Sequence, residues 1–378
     1  MVTELMRDFD VGAAILGNLS AFYFYAYAAL QIPVGLLMDR IGPRRLMTAA
    51  AAVTAVGSLI FAMSEDLAGA YVGRLLIGAG AAFSWVGVLT ILTQWFPASR
   101  FAIFTGLAQA SGMIGAIFGQ APIAVGVDAI GWRSTLVLVG AIGLVLAALM
   151  WVVLRDRPHA AASSVGVGAS LRVLLRNRET WLNAVFGLAM TAPMLGFGAL
   201  WAVPYLTTVY GLERAAASTL ISSIFIGWAI GAPLAGWVSD RLRMRKPIMA
   251  ACSVFAAASF VAVVYLPNLP LPLLAALIAA HGIAASGMVL AFASVREHNP
   301  PAMSSTAMGL VNVAVIGSGA IFQPLIGFLL DLQWDGTMEE GARVYSAAAY
   351  RSAFGVVAAG CGAGIVAALL MKDSVRKS

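Results

Sequence analysis

Apolar residues in this chain do not alternate with polar ones. They come in long runs broken by short polar turns. A helix that crosses a bilayer needs about 20 mostly apolar residues. Eleven runs qualify, at 15–38, 46–64, 68–92, 101–124, 133–154, 180–204, 216–239, 247–266, 271–294, 304–330 and 348–371. Gly and Pro interrupt several of them, which membrane helices tolerate. The gap at 155–178 is rich in Arg and small residues and reads as a linker between two helical bundles, 1–154 and 179–378. Within it, Leu171, Val173, Leu174 and Leu175 interleave with Arg172, Arg176 and Arg178. That pattern predicts a short basic helix lying on the membrane surface.

The polar gaps are not equivalent. One alternating set, with the C-terminal tail, carries 17 of the 23 Lys and Arg residues. The other carries five, namely Arg7, Arg133, Arg214, Arg343 and Arg351. The positive-inside bias therefore puts 39–45, 240–246 and the C-terminus in the cytoplasm. An odd number of spans then puts Met1 outside. The opening ten residues, Met1 to Asp10, do not resemble a signal peptide.

Composition closes off other classes. Hydrophobic residues make up 61% of the chain and charged residues 11%, against about 25% charged in a soluble domain. The net charge of +6 lies between apolar runs, not on one basic face, so nucleic acid is not an expected partner. Cys252 and Cys361 sit inside apolar runs, and His159, His281 and His298 lack ligand spacing. No disulfide framework, metal site or cofactor is expected. Without a nucleophile-base cluster, an enzyme is disfavoured.

Two gaps say the same thing. Gly35-Leu-Leu-Met-Asp39-Arg40-Ile-Gly42-Pro-Arg44-Arg45 ends one run, and Gly236-Trp-Val-Ser-Asp240-Arg241-Leu-Arg243-Met-Arg245-Lys246 ends another in the second half. A charged hairpin repeated once per half is most simply a two-bundle transporter. These stretches resemble the paired hairpin signatures of the major facilitator superfamily. Tyr71-Val-Gly-Arg74-Leu-Leu-Ile-Gly78-Ala-Gly80 resembles that family's arginine signature in helix 4, and Gly131-Trp132-Arg133 the start of its helix 6. The resemblance implies an all-α membrane protein of two six-helix bundles. Its first helix has no counterpart here, which leaves the eleven spans. Pro43 stands where the family usually has a basic residue. Gly115-Ala-Ile-Phe-Gly119-Gln120-Ala-Pro122 lacks the efflux antiporter signature. Tyr27-x-x-Leu30-Gln31-Ile-Pro33-Val-Gly35 resembles bacterial members near the organic-anion, nitrate/nitrite and lysosomal dipeptide transporters.

Candidate functional residues fall in two groups. The first is a cytoplasmic latch of Gly35, Asp39, Arg40, Arg44, Gly236, Asp240 and Arg241. The glycines leave room for a neighbouring helix, and each Asp ends a helix whose dipole opposes it, so each needs a partner. The resemblance implies that the hairpins join the bundles on this side; the simpler reading is a topology signal alone. The second group lies within spans: Arg74, Gln109, Gln120, Asn183, His281 and Asn312 for solute or coupling. Gln31 and Gln323 also fall within spans, and some of these polar residues will be helix-helix contacts. A buried Arg normally faces a polar cavity or a partner, the alternative being an Arg that snorkels outward. No Asp or Glu lies mid-span, so an anionic or zwitterionic solute suits Arg74 better than a cation does. His281 suits a proton relay, though a hydrogen bond between helices is commoner. Gln109 and Asn312 occupy matching places in the two halves. Tyr23, Tyr25, Tyr27 and Trp85 would bound a solute, whereas Trp201 and Tyr205 read as interface anchors.

The expected protein is a monomeric, multi-pass transporter of the bacterial inner membrane whose partners are the lipid bilayer and a small solute. Alternating access would carry an organic anion, an inorganic anion or a short peptide, with proton symport as one form. A non-transporting membrane sensor on the same fold and an efflux transporter are the alternatives.

Overall fold

The computed structural model describes residues 1–96, 98–156, 167–300, 303–339 and 341–373. Helix dominates. A short α1 (Val2–Asp8) precedes α2 (Ala13–Ile41), α3 (Pro43–Met63), α4 (Leu67–Trp95), α5 (Ala98–Phe118) and α6 (Ala121–Val153). After α7 (Val167–Arg176) come α8 (Arg178–Ala192), a π-helical stretch (Pro193–Trp201), α9 (Ala202–Tyr210), α10 (Arg214–Leu242) and α11 (Lys246–Tyr265). The chain ends with α12 (Leu271–Ala285), a 3₁₀ turn (Ser286–Met288), α13 (Val289–Glu297), α14 (Ser304–Leu332), a small antiparallel hairpin of β1 (Met338–Glu339) and β2 (Ala342–Arg343), and α15 (Ala347–Leu370).

Among the described residues, ten helical segments are long and apolar enough to span a membrane. The sequence pattern predicts eleven. The difference lies in Leu107–Val153, which is one continuous apolar segment of 47 residues. It takes in most of the runs expected at 101–124 and 133–154. At 1.5 Å per residue that is roughly 70 Å, more than twice the apolar thickness of a bilayer. The backbone breaks it between Phe118 and Ala121 and again at Gly131, whose φ of 79° and ψ of 160° lie outside the helical region. Trp132 starts the second limb. Its indole donates to Asp8 Oδ2 (2.9 Å), and Arg133 donates to the carbonyls of Ala62 and Ser64.

Local chemistry sets the other ends. Gly42, at φ 89°, turns the chain from α2 into α3 in one residue. Pro43 follows at the first position of α3, where its missing N–H is no loss. That accounts for a proline where the family pattern has a basic residue. Asp66, Asn177 and Ser346 cap α4, α8 and α15, each accepting a first-turn amide. The basic helix expected near 171–178 is α7. Leu174 is fully buried under it, while Arg172, Val173, Leu175 and Arg176 are exposed. Residues 157–166 of the linker lie outside the described residues.

In the first half α3 packs between α4 and α6, and α2 packs on α4. In the second, α8 packs on α14 and α15, while α12 packs on α10 and α11. The halves meet chiefly along antiparallel α2 and α14, with α10 adding contacts to α5 and α6. Large apolar side chains such as Val145, Leu149, Val152, Phe255 and Leu332 are left on the outside. An exposed apolar belt of this kind is stable only in lipid.

Candidate functional site

Arg74 sits about two turns into α4 and is turned toward α2. Its Nη2 donates to Ser20 O (2.9 Å) and Ser20 Oγ (3.1 Å), and the guanidinium lies 5.6 Å from the Tyr23 ring centre. Its Nε is buried with no hydrogen-bond partner, and no carboxylate forms an ion pair with it among the described residues. Held by α2 in this way, the side chain does not snorkel outward. It lines a cavity of about 840 Å³ between the halves. Leu16, Phe61, Ile123, Leu136, Leu200 and Val203 make most of that wall apolar, and Ser20, Gln120, Thr207 and Ser218 add polar groups. Such a pocket offers an unneutralised cation with unused donor capacity against an apolar surround.

The other predicted residues disperse. Gln120 lies inside the Leu107–Val153 segment, at the turn between α5 and α6 where the helix breaks, and reaches the cavity there. Asn312 donates to Gln31 Oε1 (2.8 Å), and Gln31 Nε2 donates to Ala82 O (3.3 Å), so this pair bridges the halves. Gln109, the expected counterpart of Asn312, is half-buried on α5 and takes no part in that bond. Asn183 is fully buried and donates to Glu179 O one turn back (2.8 Å) in its own helix, away from the cavity lining. His281 is also buried off the cavity. Its Nδ1 lies 3.0 Å from Ala256 O and 3.3 Å from Ser259 Oγ, a contact between α11 and α12. Gln323 donates to Leu195 O (2.7 Å). Trp201 and Tyr205 are not interface anchors. Both are at most 1% exposed, donating to Gln323 O (3.1 Å) and Val264 O (3.0 Å). The wide π turn that ends at Trp201 carries this stretch into the core.

At the basic face, where both charged hairpins lie, the contacts among the described residues close each hairpin on its own half. Arg44 donates from Nε and Nη2 to Trp151 O (3.0 and 2.9 Å), and its amide donates to Asp156 Oδ1 (2.8 Å). Arg245 pairs with Asp240 (2.6 Å) and Glu297 (3.0 Å). Burial works to lower the Arg245 pKa, but those two acceptors outweigh it and hold it above its ordinary value. Arg241 stacks 5.4 Å from the Trp237 ring. A β-carbon on Gly236 would meet no atom within 4 Å, so the close helix contact expected there is not formed in this conformation. The side chains of Gly35, Asp39 and Arg40 lie outside the described residues.

The opposite face holds contacts that the sequence reading missed. Arg214, at the start of α10, pairs with Asp128 (2.7 Å) and with Glu4, both in the first half. Asp331, in the last turn of α14, accepts the first-turn amides of α2 from Ala13 (3.1 Å) and Ala14 (2.8 Å). The partners lie far apart in the chain, so no short motif marks them.

Two helical halves, joined chiefly along one antiparallel helix pair and sharing a cavity lined by a cation without a carboxylate partner among the described residues, define a membrane carrier of two-bundle construction. The sequence profile of the Major Facilitator Superfamily matches residues 1–212 and, overlapping, 185–378, and the chain belongs to that superfamily. It is a multi-pass integral membrane protein of a transporter family, not an enzyme. It is 26% identical to a probable nitrate/nitrite transporter of Mycobacterium tuberculosis over 86% of this chain and 82% of that protein. It is 23% identical to a probable L-galactonate transporter of Escherichia coli, over 63% of this chain and 56% of that one. Its fold matches a bacterial homologue of the human lysosomal transporter Spinster in an inward-facing, occupied conformation, with a TM-score of 0.75, 16% identity, and 97% of this chain and 90% of that one covered.

Proposed function

We propose that the protein carries a small organic or inorganic anion across the bacterial inner membrane by alternating access, with the basic face and C-terminus in the cytoplasm. One observation carries this reading: Arg74 is a cation without a carboxylate partner among the described residues, with a donor to spare, at a cavity shared by both halves. A guanidinium in that setting is stabilised by an anion that brings its own charge, and it repels a cation. Nitrate and L-galactonate, named for two relatives, are both anions. The seam along α2 and α14 and the hairpins closed within their own halves fit an inward-facing state. His281 lies off the cavity, so the reading needs no relay through it. We take the two bundles as 1–154 and 179–378, about the linker at 155–178. The protein is taken to work as a monomer.

Thermal unfolding of the purified protein against nitrate, L-galactonate, dipeptides and neutral sugars tests this. A ligand at 100 times its Kd adds about 2.7 kcal/mol of apparent stability. Anions should raise the midpoint and neutral sugars should not. Stabilisation by a neutral sugar alone would remove the anion assignment.

A further inference from the structure

α2 begins without a cap of its own. Its cap residue, Gly12, has no side chain to accept the free first-turn amides. The acceptor comes from the other half. Asp331 takes Ala13 N on Oδ1 (3.1 Å) and Ala14 N on Oδ2 (2.8 Å), one oxygen to each amide. Groups of its own half hold the carboxylate in place: Tyr345 Oη donates to Oδ1 at 2.5 Å and Arg343 Nη1 at 3.3 Å. The Tyr345 hydroxyl also lies 3.0 Å from Ala13 N. The fit depends on bare backbone. A β-carbon on Gly12 would fall 2.6 Å from Asp331 Oδ2, and one on Gly17 would fall 2.5 Å from Gln323 O.

We propose that Asp331 is a positioning residue that sets the balance between the two conformations of the carrier, acting as an N-cap in trans that holds the opposite face shut. Asp331 ends α14, where that helix's own dipole disfavours a negative charge. The N-terminus of α2 supplies the compensating positive end, but only while the halves are together. Opening this face strips two amides of their acceptor and leaves the carboxylate only Tyr345 and Arg343 of its own half. The sequence repeats the logic at the other face, where Asp39 and Asp240 also end helices. Asp331 therefore gives the closed face a charge-dependent tie that Arg214, bonded to Glu4 and Asp128, supplements from the far side.

The inference rests on alternating access but not on the solute. The test is a spin-label distance across the opposite face in the full chain, in a background with Cys252→Ser and Cys361→Ala. The labels go on Glu65→Cys in the first half and Gln333→Cys in the second, both exposed turn positions. Asp331→Asn keeps the shape but cannot accept both amides. Losing one charge-assisted bond should raise the ratio of long to short distances by about tenfold or more. Gly12→Ala leaves the carboxylate intact and pushes a methyl against it, and it should shift the ratio in the same direction. Asp335→Asn, an exposed acid in the following loop, should leave the distribution unchanged. If Asp331→Asn and Gly12→Ala both reproduce the parent distances, the latch is refuted. A shift equal in Asp335→Asn would refute it too. No ligand enters the measurement, so either result leaves the anion assignment to its own assay.

Discussion

Replacing Arg74 by Gln separates a binding residue from a structural strut, because the two roles predict opposite patterns. The guanidinium makes two bonds to Ser20, at 2.9 and 3.1 Å. Gln is long enough to remake one of them. The bond lost is worth about 1.5–3 kcal/mol, since its donor is charged. Against that, the substitution removes an unpaired cation from the membrane region, which costs about 2.5–3.5 kcal/mol on insertion scales. The two nearly cancel, so the ligand-free protein should unfold within roughly 1–2 kcal/mol of the parent. Anion affinity has no such compensation. Losing a charge-assisted bond of about 1.5–3 kcal/mol weakens binding roughly 10–150-fold. Arg74→Lys keeps the charge without the planar fork and should fall between. Thermal unfolding with and without anion reads both quantities in one experiment, and uptake into proteoliposomes checks the consequence. A variant that loses several kcal/mol of ligand-free stability yet keeps the full anion response would show that Arg74 braces α4 against α2 and does not bind solute.

Three further outcomes follow from contacts between or within the halves. Gln31→Ala and Asn312→Ala should couple in a double-mutant cycle of chemical unfolding by about 0.5–1.5 kcal/mol, since each removes the same 2.8 Å bond; additive effects would mean that the bridge contributes nothing. Asp240→Asn should cost at most about 1 kcal/mol, because Asp240 is 70% exposed and Arg245 retains Glu297; a larger loss in urea unfolding would assign the hairpin more than an internal clip. Burial, reinforced by the hydrogen bond to Asp331, raises the Tyr345 phenol above its ordinary value of 10.0. A raised pKa gives stability that is fully present below about pH 10 and is lost as pH rises through the folded value. Tyr345→Phe should therefore reduce stability equally at pH 6 and pH 8 and narrow its difference from the parent only in strong alkali. A gap that varies between pH 6 and 8 would point to another titrating group.

What the sequence made legible was whatever a short window can carry. The apolar runs located the spanning helices, ten segments among the described residues where eleven runs were counted, and the repeated Gly-x-x-x-Asp-Arg hairpins suggested two halves before any contact was visible. Arg74 stood out because a cation in an apolar run has few structural uses. The misreadings arose where neighbours decide. Trp201 and Tyr205 read as anchors from their place near a helix end, but the π turn at Pro193–Trp201 turns them inward, and periodicity at 3.6 residues per turn does not foresee a wider turn. The Gln31–Asn312 bond forms because α2 lies against α14, which no local pattern announces. Asp331 and Ala13 are 318 residues apart, and nothing in either local sequence names the other. Gly12 reads locally as a loop residue. Its significance is an absence, a cap position without a cap, and that can be read only when the carboxylate that fills it is seen to come from the other half of the molecule.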